Sequence, residues 1–313
     1  MLKNLPSLCL PAILCAMIAT PAQAAVQRAF VASYGLNSNT TFDCDVAHPC
    51  RQFLAAVTVV NPDGEVVALD TAAYGAVTLT QSISLTAAPG AYAGITVFPG
   101  ANGVTIGTPG VNVVLRGLTI NSQGGDAGVL MTAGAKLSIE NCVISNFSGV
   151  AQHGIFVNTA ATVRMVNTLV RDNYVGIELQ VGATAAISRS KFFGNTFGIF
   201  VKNSTAGTTT TAAVSDTVAT GGNLGIYALA DVASAVVRVE IVRSIVSNTD
   251  TGVAVESQGG IASVSIRKSM VTGNGRFGLA QFSSGATLIS YGDNTLSDNF
   301  IDISGILTTA APL

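Results

Sequence analysis

The chain has 313 residues, 49% of them apolar and only 10% charged, with 33 glycines and no tryptophan. Its 15 Lys and Arg stand against 17 Asp and Glu, a balance that excludes the basic footprint of a nucleic-acid binder. Glycine and β-branched residues crowd every segment, which counts against a helical solenoid.

Residues 1–24 read as a secretory signal peptide. Lys3 gives the positive start, Leu8 to Ala19 is an apolar run broken only by Pro11, and Ala22-Gln23-Ala24 is a small-x-small cleavage signal. The run is too short and wrongly flanked for a membrane anchor, and no other stretch approaches spanning length. The expectation is an exported chain, periplasmic or secreted, that begins at Ala25 with no membrane insertion. Residues 25–62 differ in character from the rest of the chain. Arg28 to Ser33 reads as a strand, Leu36 to Ala47 as polar loop, and Pro49 to Val57 as a short amphipathic helix. Cys44 and Cys50 flank the loop before that helix, and an oxidising compartment favours a disulfide between them. A metal site there is unsupported, because His48 is the only nearby histidine. Cys142 stands alone and reads as an inert buried thiol.

Residues 63–306 carry a repeat. Less regular early strands lie between Pro89-Gly90, Pro99-Gly100 and Pro109-Gly110 turns. From Gly128 a glycine followed by an aliphatic residue returns at Gly154, Gly176, Gly198, Gly225, Gly252 and Gly278, with spacings of 26, 22, 22, 27, 27 and 26. A steady period in this range marks a solenoid. Each pair opens a period-2 run such as Ile155-Phe156-Val157, which is the signature of a strand. Asn173, Asn195, Asn248 and Asn274 precede the glycines, and both residue types bend a chain cheaply. A second column, Cys142, Thr168, Ser190, Thr217, Ser244, Ser269 and Asn294, is small and mostly hydroxylic. It predicts a hydrogen-bonded ladder along the coils at a tight turn. The fold expected is all-β: one parallel β-helix (solenoid) of about 10–11 coils. Residues 25–62 form its N-terminal helical cap, because a solenoid end must be covered. Phe53, Leu54 and Val57 are expected to cover the first coil, and residues 307–313 to be a C-terminal tail.

The phrases Asn173-Tyr174-Val175-Gly176-Ile177, Asn195-Thr196-Phe197-Gly198-Ile199 and Asn274-Gly275-Arg276-Phe277-Gly278-Leu279 resemble those of the right-handed parallel β-helix proteins, the pectin-lyase-like superfamily. The resemblance runs from about Gly64 to Ile303. It implies right-handed coils and leaves chemistry open, since polysaccharide lyases, polygalacturonases, esterases, epimerases, phage tailspikes and adhesins share the fold. Gln152-His153-Gly154-Ile155 and Asn248-Thr249-Asp250-Thr251-Gly252 resemble polygalacturonase phrases, the second with one residue inserted. They occur in reversed order, four coils apart, or about 19 Å at strand spacing, whereas inverting hydrolysis needs carboxyls about 6.5–9.5 Å apart. Asp172, Glu178, Asp250 and Glu256 share no single column on neighbouring coils. His153 therefore reads as a turn residue rather than a base, and no catalytic residue, metal or cofactor is assigned.

A binding surface is the better-supported reading. Outward residues after each glycine are Phe156, Glu178, Phe200, Tyr227, Ala254 and Ala280, and two places on Asn158, Gln180, Lys202, Leu229, Glu256 and Phe282. Aromatic faces beside amides and charges suit sugar rings. Phe156, Asn158, Glu178, Gln180, Phe200, Lys202 and Tyr227 are thus candidates for binding a polysaccharide or cell-surface glycan without catalysis. A lyase or hydrolase, or an adhesin-like spacer, are the alternatives. Gln281 falls where an inward apolar residue is expected, a sign that the register slips there.

Overall fold

A computed structural model describes residues 26–311; the signal peptide read at residues 1–24 lies outside the described residues. All its strand pairs are parallel and sort into three sheets of 12, 10 and 10 strands. Each coil gives one strand in turn to sheet 1, sheet 2 and sheet 3, as with Lys136–Glu140, Val143–Ser145 and His153–Asn158. Ten strands in a column are separated by nine full turns, and the right-handed solenoid has about 9. The sequence expectation of about 10–11 coils exceeds this by one or two. One short helix, Phe53–Ala56, stands near the N-terminus.

The core is a set of vertical aliphatic columns. In sheet 3, Val129, Ile155, Ile177, Ile199, Ile226, Val253 and Leu279 are successive register partners, each at most 1% exposed. Sheet 2 stacks Ile144, Val170, Phe192, Ala219, Val246 and Val271 in the same way. Strands paired on both sides favour β-branched side chains, and each aliphatic removed from water contributes about 1.5–3 kcal/mol.

Two side-chain ladders fix the register between coils. At the turn from sheet 1 to sheet 2, the backbone N–H groups of Cys142, Thr168, Ser190, Thr217, Ser244 and Ser269 each donate to the side-chain oxygen one coil on, at 3.0 to 3.4 Å. The hydroxyls of Thr168, Ser190, Thr217, Ser244 and Ser269 donate in turn to the carbonyl two residues back. The residue before each rung is left-handed, with φ from 47 to 54° at Asn141, Asn167, Arg189, Asp216, Arg243 and Lys268. The hydroxyl column is therefore the ladder its spacing predicts. At the turn from sheet 2 to sheet 3, Asn195 Oδ1 accepts from Asn173 N and Nδ2, and Asn299 Oδ1 accepts likewise from Asn274. Asn248 is one place out of this ladder: it is the left-handed residue (φ 52°) before Thr249.

The repeating glycines have a different purpose from the one their residue type suggests. None of the seven has a positive φ. Each is glycine because a Cβ would strike the backbone of the next coil, at 2.5 Å from the glycine carbonyl for Gly128 and Gly176 and 2.4 Å for Gly198. The strand pairing skips these glycines, as between Ala127↔His153 and Val129↔Ile155.

At the N-terminal end Phe53 is fully buried against Tyr74, with ring centroids 5.4 Å apart. Val57 packs on the core, but Leu54 is 55% exposed: a single helical turn buries only one of its faces. The Cys44–Cys50 disulfide closes the loop, and Phe30 N donates to Cys44 O while Cys50 N donates to Phe30 O, strapping that loop to the first strand. Asp70 accepts from Ser33 N and Oγ and from Tyr74 OH. Burial raises its carboxyl, and these bonds outweigh that, so it titrates below the ordinary range. The sheets extend past the expected cap and tail boundaries. Val60–Ala68 is already a strand of sheet 1, and Leu307–Thr309 pairs with Leu288–Ser290 rather than trailing free. Gln281 keeps its register, opposite Val255 in the inward column, because its Nε2 donates to Ala286 O and its Oε1 accepts from Ile306 N.

Urea unfolding of Ser244→Ala is expected to show a loss of about 1–3 kcal/mol, since Thr217 N would be left buried without its acceptor. Gly198→Ala is expected to lose about 1–3 kcal/mol by overpacking. Thiol counting on the unfolded, unreduced chain from Ala25 should find Cys142 alone; burial pushes its thiol up to about 11. Because the folded Asp70 carboxyl is depressed, the stability it contributes is present above its unfolded value. It is lost as pH falls below about 4, and a thermal-unfolding series against pH should lack that component in Asp70→Asn.

Candidate functional site

The outer face of sheet 3 carries the expected stripe in register. Phe156 pairs with Glu178, Glu178 with Phe200, Phe200 with Tyr227, and Tyr227 with Ala254. Asn158 lies beside Gln180, while Lys202 lies beside Leu229 and Leu229 beside Glu256. Phe200 and Tyr227 stack with centroids 5.0 Å apart and planes 6° from parallel.

The stripe is not uniformly open. Phe156 and Phe200 are half-buried, whereas Tyr227 is only 8% exposed. Phe200 stacks on it, Phe282 meets it edge-on at 6.5 Å, and its hydroxyl donates to Glu256 Oε2 at 2.5 Å. Burial first, and then the Glu256 bond, push the Tyr227 phenol well above its ordinary value. Tyr227 therefore backs the platform instead of presenting a face. Glu178 is 6% exposed. A carboxylate so placed is costly unless hydrogen-bonded, and it is: His153 Nε2 lies 2.8 Å from Oε2, and Gln180 Nε2 donates to Oε1. Lys202 is tied to Asp231 at 3.4 Å.

His153, read from the sequence as a turn residue, belongs to this face instead. It opens the strand His153–Asn158 rather than a turn, and its ring stacks on Phe156 at 4.6 Å. Strict alternation from Ile155 turns His153 inward. The irregular backbone at Gly154 instead brings it to the face of Phe156, and Gly198 does the same for Phe197, which stacks on Phe200 at 5.6 Å. Irregular strand positions re-aim side chains in this way. The signal lay in the position before each repeating glycine, where His153, Val175, Phe197, Leu224, Thr251 and Phe277 form a third column.

These groups border an open cleft of about 370 Å³ between Phe156 and Phe200, with Glu178 and Gln180 in it and Tyr174 and Phe197 along one side. Through His153 and Phe156 it runs into a second hollow of about 290 Å³ that reaches Asp126 and Asn102. Two larger hollows lie elsewhere. One, of about 560 Å³ near the N-terminal end, is bordered by Arg28 and Glu65, which pair with each other. The other, of about 500 Å³ on sheet 1, has Ala186 and Ala213 between Arg164 and Arg238 and no aromatic ring. Neither combines aromatic faces with a hydrogen-bonded carboxylate as the sheet 3 cleft does. Among the described residues no three of His, Cys, Asp or Glu are grouped to hold a metal ion. No described helix is long and apolar enough to cross a membrane.

Residues 93–216 match the family model of a right-handed β-helix region. No curated protein matches the sequence. Among solved structures, pectate lyase Pel9A is similar over 91% of this chain and 78% of its own, at 15% identity and a TM-score of 0.54. Tailspike protein 2 of Escherichia coli O157:H7 bacteriophage CAB120 is similar over 81% of this chain at 14% identity and a TM-score of 0.52, with 40% of its own length covered. At such identities the likeness is one of fold. Coils and family match together give this chain the right-handed parallel β-helix fold.

Absorbance titration at high pH is expected to lose one late-ionising phenol on Tyr227→Phe, because the buried, Glu256-bonded hydroxyl of the parent resists ionisation.

Proposed function

We propose that the cleft on sheet 3 binds a glycan, with sugar rings laid on Phe156 and Phe200 and hydroxyls meeting Glu178, Gln180, Asn158 and Lys202 at their edges. The observation that carries this reading is the pair of half-open aromatic rings with a satisfied carboxylate between them on consecutive coils. Apolar ring faces and peripheral hydroxyls are what such a surface complements. The fold is shared with a lyase named for pectate and with a phage tailspike, which supports a polysaccharide as the ligand class. A leader over residues 1–24 that carries the chain to the periplasm or medium belongs to the same proposal. Glycan-array binding followed by calorimetry tests it. Phe200→Ala is expected to weaken binding by about 1–3 kcal/mol with an unchanged unfolding curve. Equal binding by Phe156→Ala, Phe200→Ala and the parent would overturn it.

A second reading rests on His153 and Glu178. A histidine 2.8 Å from a carboxylate in a cleft is equipped to move a proton, which suits a lyase or hydrolase. Release of unsaturated or reducing ends from polysaccharides, abolished in both His153→Ala and Glu178→Gln while binding persists, would establish it.

A further inference from the structure

The ionisable groups along the sheet 3 groove say which sugars it accepts. The cleft and its continuation are bordered by four such groups besides tyrosine: His153, Glu178, Lys202 and Asp126. No arginine borders either hollow. Both potential cations are already engaged, His153 with Glu178 at 2.8 Å and Lys202 with Asp231 at 3.4 Å. Next to Lys202's column, Glu256 is committed to Tyr227 and to Gln258. The groove thus holds the carboxylates of Asp126 and Glu178, with Asp231 and Glu256 beside it as the partners of Lys202 and Tyr227, and no unengaged cation borders it to answer a ligand's charge.

From this balance we infer that the groove selects uncharged hexopyranose chains and rejects polyuronates, an inference that rests on the glycan-binding reading above. A uronate chain brings one carboxylate per sugar. Laid across Phe156 and Phe200, it would set those carboxylates beside Glu178, a like charge held in a poorly solvated position and itself unable to move away. Like charges brought together in a cleft with low-dielectric walls are a strong discriminator against the wrong ligand. A neutral sugar meets no such penalty. Its hydroxyls donate to the lone pairs of Glu178 that His153 and Gln180 leave over, and its apolar face lies on the rings. The specificity is opposite to what the acidic-polymer name of the similar pectate lyase suggests.

The test is calorimetric titration of the chain from Ala25 at low salt with two sets of probes of matched length. One set is cello-, malto- and galacto-oligosaccharides; the other is oligogalacturonate and oligoalginate. Saturable binding of a neutral series, with both uronates at least about tenfold weaker, is the expected result. Glu178→Gln, which keeps the shape and removes the charge, is expected to narrow that gap. Uronates binding as tightly as the neutral series, or more tightly, would overturn the inference and leave the glycan reading standing. Saturable uronate binding with no neutral series bound would do the same. Binding by no probe of either set would overturn both.

Discussion

Everything in this solenoid depends on each coil landing in register on the one before it. Backbone pairing alone tolerates slippage when strands are as short as Val143–Ser145 or Lys191–Phe193. The side-chain ladders remove that freedom. From Thr168 to Ser269 each rung oxygen receives an N–H from the previous coil while its own proton is held by a carbonyl two residues back in the same coil, so the oxygen is fixed in place and a slip would break the bond between coils. The glycine column acts from the opposite direction, by permitting a carbonyl to approach where no Cβ fits. The cleft inherits its geometry from this arrangement. Phe200 and Tyr227 stack at 5.0 Å because that is nearly the spacing of paired strands.

Glu178 shows how much local structure one outward residue needs. It sits between Phe156 and Phe200 in register, almost wholly out of water. Such a carboxylate is tolerated only if its oxygens find donors. One donor comes from the coil before, His153, and the other from its own strand, Gln180. Removing either leaves an oxygen without its partner, so the three residues stand or fall as a unit. Asn173 and Asn195 are buried on the same terms, through ladder bonds instead of a cluster.

The fold was legible because a solenoid writes its period directly into the chain. The Gly-aliphatic phrase, the hydroxyl column and the outward stripe all lie where their spacing puts them. Reading failed where local backbone departs from regular alternation. His153 is turned outward by the irregularity at Gly154, which no count of two can reveal. Tyr227 stands in the predicted column, but its depth is set by Phe200 on one side and Phe282 on the other, and sequence spacing carries no information about depth. Leu54 falls on the wrong side of a helix that lasts a single turn. Gln281 looked like a slip and is instead a polar residue in a core column whose amide is satisfied by backbone.

The six glycine spacings, 26, 22, 22, 27, 27 and 26, also describe a topography. The two shortest intervals are those between Gly154, Gly176 and Gly198; they carry Phe156 and Glu178, and Phe200 stands just past the second. On one flank the chain takes the longer connection 146–152 before His153; on the other it takes the longer connection 204–208 after Lys202. The cleft is therefore a notch cut by missing residues as much as a patch made by particular side chains. Its depth and length can change by insertion or deletion at 204–208 or at 148–152, past Phe147, whose N–H donates to Asn173 Oδ1 in the asparagine ladder. A protein built in this way can acquire a new ligand range through changes in loop length alone, with every core column left as it was.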